Sequence, residues 1–132
     1  MIALDTNALV RVVVEDDIEQ AHKVRKLIES AEQNGESILI LTEVLIETVW
    51  VLESVYHCTR TEVYNFLKTL VRADVFTFAD PEVIVAAIQK YRKKGDFADI
   101  IIVIQAIKHG AKKLFSFDRK LQKNFPDYVI NS

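Results

Sequence analysis

Four acids, Asp5, Glu47, Asp99 and Asp118, stand in settings where a carboxylate could do chemistry. Asp5 closes the apolar run Ile2-Ala3-Leu4 and is followed by Thr6-Asn7. Glu47 lies inside Val44-Leu45-Ile46-Glu47-Thr48-Val49-Trp50, where a buried acid would need a charged or metal partner. Glu43, four residues earlier, shares its face of any helix there and is the alternative to it. Asp99 precedes the run Ile100-Ile101-Ile102-Val103-Ile104, with Asp96 about one helical turn before it, and Asp118 follows Phe115-Ser116-Phe117. Asp5, Asp96 and Asp118 also read as helix N-caps, each worth about 1 kcal/mol, and both readings stay open.

Acids gathered in one crevice repel one another unless a cation holds them. An all-oxygen donor set selects a hard ion, Mg²⁺ or Mn²⁺, rather than zinc. His22, His57 and His109 are scattered, Cys58 is the only cysteine, and neither a Gly-rich phosphate loop nor a G-x-S-x-G elbow is present. A carboxylate-held hard metal polarises a phosphoryl oxygen and acidifies a bound water, which suits phosphodiester hydrolysis. Thr6 and Ser116 have hydroxyls placed to orient that water or a ligand.

Helices and strands in alternation would position these residues. Strands are expected at Ile2-Ala3-Leu4, Ile38 to Leu41, Val75 to Phe78 and Leu114 to Phe117. Between them fall an apolar stripe over 17–34 stopped by Asn34-Gly35, and a helix capped by Thr42 and reaching about Tyr56. A helix opening at Thr59 or Thr61 follows, then one led by Asp80-Pro81 and reaching Arg92. The segment from Asp96 to His109-Gly110 is read as a central helix apolar on all sides, although its β-branched run would also suit a strand. Such alternation implies an α/β fold, a parallel sheet with crossover helices on both faces, and a site at the carboxyl ends of the strands.

At 132 residues the chain fits one domain, 1–132, and its 50% hydrophobic content with 3 Gly and 2 Pro suits a packed core. A lone cysteine and an N-terminus without a basic region read as cytoplasmic, and the longest apolar runs fall far short of the roughly 20 residues of a membrane span. The net charge of −2 hides an asymmetry: acids dominate from Glu15 to Glu53, whereas Lys and Arg dominate from Lys90 to Lys123. That basic stretch reads either as solvated helix faces or as a rim that draws a polyanion towards the acids. The hydrophobic segment from Ala8 to Val14 is suited to core burial, or to a dimer or partner groove.

Leu4-Asp5-Thr6-Asn7, Glu47-Thr48-Val49-Trp50-Val51-Leu52, Asp96-Phe97-Ala98-Asp99 and Phe115-Ser116-Phe117-Asp118-Arg119, in that order, resemble the PIN domains, and in particular the VapC-type toxins of toxin–antitoxin pairs. The resemblance implies a three-layer α/β/α fold with a central parallel sheet of four to five strands. It implies Asp5, Glu47, Asp99 and Asp118 as metal ligands, with Thr6, Asn7, Asp96 and Ser116 in support, although threonine is commoner than serine at position 116. It further implies Mg²⁺ or Mn²⁺, endonucleolytic cleavage of RNA, a homodimer and a cognate antitoxin. Arg92, Lys93, Lys94, Arg119 and Lys120 are the expected RNA contacts. A receiver-like phosphotransfer domain would want paired acids after the first strand, where Asp5 is alone; a D-x-D phosphatase would want an acid at Asn7. A catalytically silent binding module is the other alternative.

Overall fold

The first two strands run in the same direction, so the chain between them must cross back over the sheet. In a computed structural model describing residues 1–132, β1 (Ile2–Ala3) pairs with β2 (Ile38–Ile40), placing Ile2 opposite Ile38 and Ala3 opposite Leu39. The crossing is made by α1 (Thr6–Val13) and α2 (Ile18–Asn34). A second crossing through α3 (Thr42–Ser54) and α4 (Arg60–Arg72) leads to β3 (Phe76–Phe78), which pairs in parallel with β2. The sheet order is β1-β2-β3. Its strand carboxyl ends therefore lie along one edge, where Asp5 and Glu43 follow β1 and β2. These elements belong to a compact unit spanning Met1–Pro81.

Local chemistry fixes the helix ends of this unit. Asp17 caps α2 by accepting from the Gln20 N–H at 3.0 Å, and Gly35 ends it in the left-handed conformation at φ 66°. Thr59 and Glu62 satisfy each other's backbone N–H groups at the start of α4. The expected cap at Thr42 is corrected. Leu41 is the N-cap, without a side-chain bond, and Thr42 is the first helical residue, buried. The Arg11 guanidinium donates to Gln20 at 3.0 Å and to the Tyr56 hydroxyl at 3.3 Å, and pairs with Asp16 at 2.9 Å. These bonds tie α1 to α2 and to the chain just past α3. Of the hydrophobic segment 8–14, Leu9 and Val10 enter the core while Val12 and Val13 remain exposed.

The second unit, Glu82–Ser132, holds nearly all of α5 (Pro81–Tyr91), together with α6 (Phe97–Lys108), β4 (Leu114–Phe115), α7 (Arg119–Asn124) and β5 (Val129–Ile130). The contested run is helical, because Asp96 caps α6 and His109-Gly110 close it, Gly110 at φ 92°. The expectation that a run apolar on all sides is buried on all sides is corrected: Ile100, Ile101 and Val103 are buried, but Ile102 is 48% exposed.

The expected sheet of four to five strands is also corrected. Backbone pairing gives a three-stranded sheet and a separate parallel pair, β4 with β5. β4 stops at Phe115 rather than Phe117 because the Ser116 hydroxyl accepts from the Asp118 N–H at 3.1 Å, a local bond that competes with the strand ladder. Val129 and Leu114 turn inward to a small core with Val103, Leu121 and Phe125.

Gly95 sets up α6. Its φ of +101° is one that L side chains rarely adopt, and a Cβ there would lie 3.1 Å from Cδ1 of Ile100. Gly95→Ala is expected to cost roughly 1–3 kcal/mol, read as a lower denaturation midpoint at unchanged denaturant slope.

Candidate active site

Three of the singled-out acids begin helices. Asp5 Oδ1 accepts from the Ala8 N–H at 2.9 Å and caps α1. Asp96 Oδ2 accepts from the Asp99 N–H at 3.0 Å and caps α6. Asp118 Oδ1 accepts from the Lys120 and Leu121 N–H groups at 2.9 and 3.1 Å and caps α7. The cap reading is therefore correct for all three. It does not displace the metal reading, since each cap uses one oxygen of its carboxylate.

The second unit brings Asp96, Asp99 and Asp118 within electrostatic reach of one another. Burial raises the Asp99 carboxyl above its ordinary range, and the negative charges of Asp96 and then Asp118 raise it further. Phe97 beside it is fully buried and meets Tyr91 edge-to-face at 5.6 Å, which anchors the first turn of α6. Ser116 holds the turn into Asp118 through its hydroxyl. Gln122, which carried no sequence signal, donates from its amide to the Ser116 carbonyl at 2.8 Å and locks that turn from the other side.

In the first unit, Asp5 and Asn7 are exposed and Thr6 is buried in the first turn of α1. Glu47 is exposed, so the expectation that its apolar neighbours bury it is overturned. A helix turns about 100° per residue, and those neighbours lie on other faces. Glu43, Glu47 and Trp50 form one solvent-facing stripe of α3, while Leu45, Thr48, Val49 and Leu52 are buried. Glu43 occupies the first turn, nearest the end of β2. Arg92, Lys93, Lys94, Arg119 and Lys120 are all exposed in the second unit.

No group of three or more Asp, Glu, His or Cys side chains is gathered tightly enough to hold an ion in this arrangement. The donor chemistry still fits a hard divalent cation. It is entirely carboxylate, and the Asp99 anion is disfavoured first by burial and then by the charges of Asp96 and Asp118, which a cation would offset.

An α/β chain with crossover-linked parallel strands and acids at the strand ends and helix starts belongs to the PIN-domain family, whose profile matches residues 2–125. Over 121 residues it is 31% identical to a VapC ribonuclease of Aquifex aeolicus (strain VF5), covering 91% of this chain and 89% of that protein. No solved structure matches it. No helix is long and apolar enough to cross a membrane.

A carboxyl raised in the folded state binds its proton more tightly there than in the unfolded chain. Its contribution favours folding at low pH and is lost as pH rises and Asp99 ionises. With metal chelated, Asp99→Asn should thus have a higher melting temperature than the unmodified chain at neutral pH. The difference should vanish in acid, where Asp99 is already neutral; thermal melts across pH with chelator read both.

Proposed function

We propose that this chain is a divalent-metal-dependent endoribonuclease, the toxin of a type II toxin–antitoxin pair, acting as one functional domain over residues 1–132. The observation that carries the reading is Asp99, partly buried and facing the negative charges of Asp96 and Asp118, a setting that a bound cation would relieve. The similarity to a VapC ribonuclease supports RNA as the substrate class, and the resemblance to the toxins of toxin–antitoxin pairs supports an antitoxin as the partner. A homodimer in the cytoplasm completes the reading.

In this function Asp5, Glu47, Asp99 and Asp118 hold Mg²⁺ or Mn²⁺, and Asp96 assists by fixing the first turn of α6. The ion, when bound, polarises the scissile phosphate and acidifies a water. The chain's own residues do the positioning. Ser116 and Gln122 fix the backbone that carries Asp118, and the buried Thr6 and the exposed Asn7 shape the turn that carries Asp5. Arg92, Lys93, Lys94, Arg119 and Lys120 meet phosphates, so binding should weaken as salt rises. Glu43 is the second reading for the acid of α3, favoured by its place in the first turn beside the end of β2.

Cleavage of single-stranded RNA should require added Mg²⁺ or Mn²⁺ and stop on chelation. Asp5→Asn, Asp99→Asn and Asp118→Asn should each reduce it by about 100-fold or more, since even outer-shell partners of a metal commonly cost 10–100-fold. Intact cleavage in Asp99→Asn would sink the assignment. Metal affinity compared between Glu47→Gln and Glu43→Gln decides the acid of α3: a loss confined to Glu43→Gln transfers the role.

A further inference from the structure

The pairing of β4 with β5 divides its side chains between two faces. Leu114 and Val129 are opposite each other and turn inward, so Phe115 and its partner Ile130 turn outward. Phe115 is 57% exposed, and Phe117, two residues further on, is 82% exposed. The two rings meet edge-to-face, with centroids 5.2 Å apart at 87°. In that geometry the ring offering its edge keeps both of its faces off its partner. A large apolar ring left in water so close to an acid cluster is a costly feature that folding does not explain. Its neighbours in the chain, Ser116 and Asp118, are polar and charged. Asp118 follows Phe117 directly, with Cα atoms about 3.8 Å apart. Lys112 precedes β4, Arg119 and Lys120 follow Asp118, and all three are exposed.

We propose that Phe117, braced by Phe115, is a stacking platform for a base of single-stranded RNA. The base lies on the ring, and the sugar-phosphate backbone runs past Arg119 and Lys120 beside Asp118. Aromatic rings set among cations bind single strands in this way, because every base offers a π-face and every linkage offers a charge. Charge complementarity favours RNA over a protein occupant. A protein that buried the two rings would also have to cover the exposed charges of Asp118, Arg119 and Lys120, which follow Phe117 directly in the chain. The platform acts on the base and takes no part in the bond cleavage; this inference rests on the ribonuclease reading.

The test uses the full chain with metal chelated, so that binding is read apart from cleavage. The probes are a short labelled single-stranded RNA and its abasic counterpart. Phe117→Ala and Phe117→Leu should each weaken binding of the base-bearing RNA by about tenfold and leave the abasic probe nearly unaffected. Phe117→Trp should restore affinity, and with Trp50→Phe in the same chain its fluorescence should be quenched on adding the base-bearing RNA. In cleavage assays with Mn²⁺, Phe117→Ala should raise KM far more than it lowers kcat. Equal affinity of the unmodified chain and Phe117→Ala for the base-bearing RNA overturns the platform. So does a shift of oligomeric state in Phe117→Ala with RNA affinity unchanged, which would assign the face to a second copy of the chain. Failure of the ribonuclease reading looks different: the unmodified chain would not cleave RNA with either metal, whatever Phe117 does to binding.

Discussion

A carboxylate at the start of a helix meets N–H groups that have no partner within that helix, at the positive end of the helix dipole. Asp5, Asp96 and Asp118 are all held in this way, and Asp99 sits in the first turn behind Asp96. That arrangement offsets part of the cost of each capping charge with backbone N–H groups. The helix ends supply part of the compensation, and the shortfall shows at Asp99, whose anion is disfavoured by burial and by its neighbours. Caps also fix direction, because a carboxylate bonded to the backbone three residues on can present only its other edge outward.

The short strands follow from the same economy of chain. β1, β4 and β5 are two residues each, and the acid that caps the next helix comes two residues after β1 and three after β4. β1 and β4 each deliver an acid just past their carboxyl end and then yield to the helix that the acid begins. At β4 the handover is visible in one bond, from the Asp118 N–H to the Ser116 hydroxyl, which ends the ladder while Ser116 still donates its own N–H to Ile130. The PIN-domain match spans both compact units, so neither half alone represents the family.

What could be read from the sequence was whatever depends on neighbours in the chain. The caps at Asp5, Asp96 and Asp118, the stop at Gly35 and the helical state of the Ile100–Ile104 run are local decisions, and all were legible. Glu47 was misread because apolar neighbours in sequence are not neighbours on a helix surface. β5 was missed because two residues carry no period, and its pairing with β4 is a tertiary choice. Gln122 could not be found, since its bond to the Ser116 carbonyl depends on the turn between them. Phe117 was visible only as part of a strand that the structure ends two residues earlier.

The double duty of the capping acids divides the molecule's tolerance to change along an unusual line. Asparagine caps a helix about as well as aspartate does, because the backbone asks only for an oxygen. At positions 5, 96 and 118 the amide would preserve each helix start and its bonds to the first turn while removing the negative charge. Under the proposed ribonuclease reading, a single such change would leave a well-folded chain that no longer cleaves. Stability would register little of that change beyond the loss of a charge at a helix N-terminus.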